Sequence, residues 1–181
     1  MIRGVNTHAA VISLLVGFVV LTCGLIAAQD IKTNYLPSTD FSKYKTYKWV
    51  VVTGAEHPDQ IVDQQIKQAI DAQFSAKGMT KTEDEMADVY VAYQVSVRAE
   101  QEWNAYGTGM GPRWGGMGTV TSTTIHIGTL DLDLYDTRTQ KLVWRGMATK
   151  TLNPSKDPAK NQKRLNKAVA KLLKGFPPKA K

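Results

Sequence analysis

Two aspartates, two positions apart, are the residues of this sequence best placed to do chemistry. Asp131 and Asp133 alternate with leucines in the run TLDLDLYD, so on a strand both carboxylates point to one face, about one repeat apart. Paired carboxylates could hold a divalent cation or cleave a glycosidic bond. The same alternation also fits the solvent face of a strand whose leucines are buried, and we expect that simpler arrangement.

Residues suited to nucleophilic or metal chemistry are scarce in this chain. Cys23 is the single cysteine, which excludes an internal disulfide and a cysteine-based zinc cluster, and there are only three histidines. His126 lies in a strand pattern between two isoleucines, and no nucleophile-elbow motif accompanies it. The sequence therefore predicts no enzymatic activity, no metal and no cofactor. The alternative is a hydrolase that acts on cell-wall or surface polysaccharide through its acidic residues.

A glycine-rich aromatic segment is the first candidate for binding a partner. Residues 103–118 read WNAYGTGMGPRWGGMG, in which glycines surround Trp103, Tyr106 and Trp114. Glycine loses much backbone entropy in regular structure, so the composition predicts a loop. Exposed aromatic rings could stack on sugars or enter a partner's surface, and the alternative is that they fold back onto a sheet edge. It is not a phosphate-binding loop, because no Gly-Lys-Ser/Thr ending is present.

The charge of the chain is concentrated at its C-terminal end. The net charge is +7, but from Lys141 onward 12 Lys or Arg stand against one acid, whereas residues 29–140 carry 10 basic and 15 acidic residues. Lys163, Arg164, Lys167 and Lys171 lie on one side of a predicted helix. This face could contact an anionic lipid, a cell-wall polymer or another envelope protein, and the alternative is a solvated face that keeps the domain soluble. No base-reading motif points to nucleic acid.

The first 28 residues predict export. Residues 9–28 form an apolar run that Arg3 precedes and small residues end, which is typical of a secretory signal peptide cleaved after Ala28. Two alternatives stay open: lipidation at Cys23 after an imperfect lipobox that has Thr22 before the cysteine, and a retained membrane anchor. All three outcomes place residues 29–181, a single domain, in the periplasm or cell envelope, and an outer-membrane lipoprotein is the less favoured form.

Hydrophobic periodicity predicts the strands and helices that carry these residues. Short β patterns at residues 31–35 and 41–52 precede a helix whose apolar residues recur every four positions, and Gly78 ends it. Large apolar residues at every second position from Val89 to Val97, four valines and Tyr93, mark a long strand, and a hairpin joins the leucine-aspartate strand to residues 142–144. A second helix ends before Pro177. The order β-β-α-β-β-β-α predicts an α+β fold, an antiparallel sheet of about five strands with two helices on one face.

Four segments together resemble a known bacterial family. They are DFSKYKTYKWV at 40–50, ADVYVAYQV at 87–95, GTLDLDLYD at 128–136 and KLVWRGMATKTL at 141–152. In this order they resemble domain of unknown function 4136, whose members are typically exported lipoproteins. The resemblance covers nearly all of residues 29–181 and implies an α+β domain in the envelope. It implies no activity and no catalytic residues.

Overall fold

A six-stranded sheet and two α-helices make up the part of the chain that the computed structural model describes, which is residues 29–54, 58–106 and 119–179. The strands are β1 (Asp30–Tyr35), β2 (Thr46–Trp49), β3 (Thr80–Lys81), β4 (Val89–Tyr106), β5 (Thr119–Asp136) and β6 (Leu142–Leu152), and the helices are α1 (Gln60–Ala76) and α2 (Pro158–Leu172). The predicted α+β class is confirmed.

The sheet is mixed, and the prediction of about five antiparallel strands needs correction. The strand order is β1-β6-β5-β4-β2-β3. β1, β6, β5 and β4 pair antiparallel, whereas β2 runs parallel to both β3 and β4. The parallel pairing arises because α1 carries the chain back from β2 to β3, on the edge. β3 escaped prediction because its two residues are polar and exposed, so they leave no alternating pattern.

The core lies between one face of the sheet and the two helices. Alternating residues of β4, β5 and β6 share one cluster with the buried residues of α1 and α2, and the two helices contact each other. Edge-to-face aromatic pairs join the layers, among them Tyr47 with Phe74 and Trp144 with Phe176, at centroid distances of 5.0 and 5.2 Å. The predicted apolar stripes of both helices are therefore confirmed as core.

Side-chain caps fix where the helices begin. Asp59 accepts hydrogen bonds from the amides of Ile61 and Val62, and Asp157 accepts one from Ala159. After α1, Gly78 has a φ of +81°, a left-handed conformation that glycine adopts without steric cost. The chain can then turn at once into β3. The predicted role of Gly78 at the end of this helix is confirmed.

The region around β2 differs from the sequence prediction. Residues 41–52 were expected to form one strand, but Phe41–Lys43 forms a 3-10 turn and β2 ends at Trp49. Val51 comes after the end of β2, and its side chain is 72% exposed. Lys43 is more than a solvated side chain, since its amine pairs with buried Asp136 at 2.8 Å.

Neither described helix has the length and hydropathy that spanning a bilayer requires. The predicted signal peptide, residues 1–28, and with it Cys23, lie outside the described residues. The division into residues 1–28 and 29–181 stays a prediction.

Candidate functional site

The most distinctive feature of the sheet is a two-stranded arm. β4 and β5 pair along 18 residues each, but β2 accompanies β4 only as far as Val91, and β6 accompanies β5 only from His126 onward. Residues 100–106 and 119–125 therefore pair only with each other, and we call these two segments the arm. Seven residues of strand extend about 20 Å, so the arm projects about that far beyond the last residue paired with β6.

Trp103 and Tyr106 lie in this arm and not in a loop as predicted. Trp103 pairs with Ser122 in register, and Tyr106 pairs with Thr119. The Trp103 side chain is 65% exposed. The expected loop therefore starts later than the sequence indicated, because strand pairing with the Thr-rich segment of β5 outweighs the irregular composition of residues 103–106. Trp114 lies outside the described residues.

The four basic residues singled out in the sequence do share one exposed face of α2. Lys163, Arg164, Lys167 and Lys171 are all exposed, while the opposite side of the helix is buried against the sheet and α1. Arg164 donates a hydrogen bond to the carbonyl oxygen of Asn153, just after β6. None of the three lysines forms an ion pair with an acidic residue in the described part of the chain.

The structure places Asp131 and Asp133 on the sheet face opposite the helices and next to Arg145. Asp133 is only 4% exposed, and its two oxygens accept hydrogen bonds from Arg145 Nε and Nη2 at 2.6 and 2.5 Å. Tyr135 donates a further, longer bond to Asp133 at 3.3 Å. The expectation of a solvated pair is therefore wrong for Asp133. A buried carboxylate on an open face is stabilised here by a bidentate guanidinium that also covers it.

Asp131 differs from its neighbour in having an unsatisfied oxygen. Its Oδ1 is buried and has no hydrogen-bond partner in the structure. Burial raises the pKa of Asp131, Arg145 opposes this effect, and the negative charge of Asp133 adds to it. The two aspartates thus have different environments, one paired with a cation and one poorly solvated. Such a difference is one way in which carboxylates acquire separate acid and base roles.

A third buried carboxylate, Asp136, was missed by sequence reasoning. It accepts hydrogen bonds from Lys43 Nζ and Tyr44 Oη, both at 2.8 Å, and from the amides of Arg138 and Thr139. Burial acts to raise its pKa, but the bonds from Lys43, Thr139 and Tyr44 outweigh burial and hold the pKa well below 3.8. An aspartate that starts the tight turn DTRTQ was a usable signal. Its role is to join this turn to the segment before β2.

Two shallow clefts accompany these features. One of about 450 Å³ lies where β1 and β6 meet, beside Tyr35, Leu142 and Arg145. The other, of about 350 Å³, lies between Tyr93 and the start of α1. Among the residues that the structure describes, no His or Cys lines either cleft. Within residues 29–54, 58–106 and 119–179, no group of three or more His, Cys, Asp or Glu could hold a metal ion.

Comparison with models of known protein families identifies the family of this chain. The family model described as Domain of unknown function (DUF4136) matches residues 31–178. The chain belongs to this family. The match runs from β1 past the end of α2, so the DUF4136 domain includes the arm, the basic helix and the acidic residues of β5. The resemblance seen in the sequence is confirmed.

Solved structures are similar to this DUF4136 domain at low sequence identity. A PDZ domain protein from Parabacteroides distasonis superposes with a TM-score of 0.56 and 12% identity over 83% of this chain and 36% of that chain. A PelC dodecamer from Paraburkholderia phytofirmans superposes with a TM-score of 0.49 and 16% identity, covering 81% and 95%. No curated protein matches the sequence. At these identities the likeness describes the fold alone.

Proposed function

We propose that this DUF4136 domain is a non-enzymatic binding module of the bacterial cell envelope, which contacts an anionic envelope component through α2. The observation that carries the proposal is the exposed face of Lys163, Arg164, Lys167 and Lys171. Its lysines have no acidic partner in the described part of the chain, although the body of the domain is rich in acids. A row of unneutralised cations on a fixed helix favours phosphate or carboxylate groups presented by a surface or a polymer.

The charge of α2 is not needed to fold the helix. Asp157 caps its start, Leu165 packs against the core, and Val169 and Leu172 are buried in it. The basic residues can therefore vary without loss of the fold. Phosphate groups on lipids and on lipopolysaccharide share the required chemistry, and the experiment has an arm for each.

The test is a titration of the purified full chain in neutral detergent. The titrants are mixed micelles that contain phosphatidylglycerol, lipopolysaccharide or only phosphatidylcholine. We expect binding to the anionic micelles, weakened by high salt. Since each lysine near an anionic surface contributes about 1 kcal/mol, reversing Lys163, Lys167 and Lys171 to Glu should weaken binding by at least about 100-fold.

The matched control reverses three other exposed lysines, Lys32, Lys45 and Lys81, to Glu. This variant has the same net charge but an unchanged α2, so it should bind within a few-fold of the natural chain. Equal binding to anionic and neutral micelles would contradict the proposal. So would an equal loss in both triple variants, because only net charge would then matter.

A hydrolase that acts on cell-wall or surface polysaccharide is the second candidate function. The raised pKa of Asp131 and its unpartnered oxygen favour it, since a general acid needs such an environment. The test incubates the full chain with polymeric substrates and measures released reducing ends. An activity that Asp131→Asn abolishes would place this candidate first. No released ends from any polymer would leave the binding module as the function.

A further inference from the structure

Exposed apolar side chains occur at the end of the domain from which the two-stranded arm projects. We call the end of the sheet from which the arm projects the arm end, and the opposite end, with the β5–β6 turn, the turn end. Eight large hydrophobic residues are exposed in the described part of the chain. Four of them, Ile61, Val97, Trp103 and Leu152, lie on the arm side of the domain.

These side chains are exposed because the sheet is longer than the helices that cover it. Val97 and Trp103 continue the alternation of core residues Val91 and Tyr93, so they project on the helix side of β4. Leu152, at the end of β6, lies over Gly128, where no Cβ keeps it away. The buried residues of both helices stop short of this region. The arm end therefore continues the apolar face of the core without a helix above it.

The polypeptide enters the domain at this same end. The apolar run of residues 9–28 ends two residues before Asp30, the first residue of β1. Asp30 of β1 pairs with Thr149 of β6, which pairs with Thr129 of β5, which in turn pairs with Ser96 of β4. The first residue of β1 is therefore level with a residue of β4 that lies four positions before the arm. Even from Cys23, seven residues of extended chain reach at most about 25 Å. A membrane that holds the N-terminal segment thus lies near the arm end.

Basic residues lie on β6 and α2, next to part of the apolar surface. Lys150 lies near the end of β6, Lys156 precedes α2, and Lys160, Lys163 and Arg164 occupy its first half. The bond from Arg164 to Asn153 fixes this half of the helix next to the end of β6. An apolar patch that carries a tryptophan and is bordered by cations is the composition of surfaces that lie in a bilayer interface.

We propose that the arm end is a membrane-contact surface, on which Trp103, Val97, Leu152 and Ile61 lie in the headgroup region of an anionic bilayer. The inference rests on the proposed function, because lysines of α2 supply part of the charge. It adds the orientation of the domain: β1 begins beside the membrane, and the β5–β6 turn points away from it. A second copy of the chain, or residues 9–28 folded back on the patch, are the competing occupants.

The test measures quenching of Trp103 by brominated phospholipids in vesicles that contain phosphatidylglycerol and the reconstituted full chain. Trp114→Phe serves as background, and the spectrum of the double variant Trp103→Phe/Trp114→Phe is subtracted to isolate Trp103. We expect the Trp103 emission to fall about twofold or more in brominated vesicles and to shift to shorter wavelength, as for a ring at the interface.

A probe at the turn end provides the matched control. Met86 is 87% exposed there, and Met86→Trp in the double-variant background should keep its full emission in brominated vesicles. Quenching of this probe as strong as that of Trp103 would overturn the orientation. Trp103→Phe should leave the thermal midpoint unchanged, because its ring lies outside the core.

Other outcomes identify the competing occupants. A Trp103 emission that is shifted to shorter wavelength but not quenched would overturn the proposal. If that shift depends on protein concentration, a second copy of the chain covers the patch; if it does not, residues 9–28 cover it. An unshifted, unquenched Trp103 would overturn it as well. If the lysine reversals abolish salt-sensitive binding while Trp103 stays unquenched, the proposed function survives and only the orientation fails. If both measurements fail, the proposed function fails with it.

Discussion

The two ends of the sheet differ in whether their charged groups are paired within the fold and in whether their apolar side chains are exposed. At the turn end, Asp136 is 3% exposed and accepts hydrogen bonds from two side chains and two amides, so its charge is fully used within the fold. At the arm end, Trp103 and Val97 are exposed, and Lys163 of α2 has no acidic partner in the described part of the chain. The turn end therefore satisfies its charged groups within the fold, whereas the arm end leaves apolar and basic side chains exposed. Substitutions at the turn end should therefore change the free energy of unfolding more than substitutions on the exposed arm.

The largest effect is expected at the turn end. Asp136→Ala removes the acceptor for Lys43, Tyr44 and two amides, and buried donors without partners should lower the free energy of unfolding by about 3 kcal/mol. Glu102→Ala, on the exposed arm, should change it by less than about 0.5 kcal/mol. Urea denaturation at neutral pH measures both.

The pH dependence gives a second check on Asp136. Because its folded pKa is below the ordinary value of 3.8, its contribution is complete above that pH and is lost as pH falls through the folded pKa. The free energies of unfolding of the natural chain and of Asp136→Ala should therefore become more similar at strongly acidic pH. A difference that stays constant down to acid denaturation would show that packing, and not charge, holds the turn.

Two glycines of the sheet give an intermediate effect. An added Cβ at Gly146 would meet the Trp144 ring and, at 2.8 Å, Leu172, both fully buried, so Gly146→Ala should cost about 2 kcal/mol. An added Cβ at Gly128 meets Leu152 Cδ2 at 2.7 Å, the tip of a flexible and partly exposed side chain. Gly128→Ala should therefore be nearly neutral. Thermal unfolding compares the two, and equal costs would mean that the arm end is packed as tightly as the core.

The smallest effect is expected at Asp131, midway between the ends. Since burial raises its folded pKa above 3.8, the folded protein holds a proton more tightly than the unfolded chain, and this carboxylate lowers stability at neutral pH. Asp131→Asn should raise the free energy of unfolding at pH 7 by less than about 1 kcal/mol, and the gain should vanish below pH 3.8. Asp133→Asn should instead destabilise, because it breaks the pair with Arg145. Denaturation at both pH values measures the two variants, and destabilisation by Asp131→Asn would contradict the assignment.

Much of the fold was predictable, and the failures have identifiable causes. Both helices were found because their apolar residues recur at helical spacing and a capping aspartate or glycine marks an end. The mixed topology was not, because β3 has two exposed polar residues and its pairing depends on where α1 returns the chain. The strand character of Trp103 and Tyr106 was missed because glycines nearby predicted a loop.

Some features of the candidate site could also be predicted from the sequence, and others could not. The basic face of α2 could be predicted, since helical spacing alone brings Lys163, Lys167 and Lys171 together. The separate environments of Asp131 and Asp133 could not, because they depend on Arg145 in the next strand. Asp136 was missed for a similar reason, since its partners Lys43 and Tyr44 lie far away in the chain.

The family, the α+β class, both helices and the concentration of positive charge could be read from the amino-acid sequence, because these depend on composition and on spacings within one element. The tertiary structure, in contrast, was needed to see that β4 and β5 extend beyond the strands paired with them and form an arm. It also brought the chain entry, the arm and the first half of α2 to one end of the sheet. Strand register is set by pairing between distant segments, and no local pattern records which strand will end first.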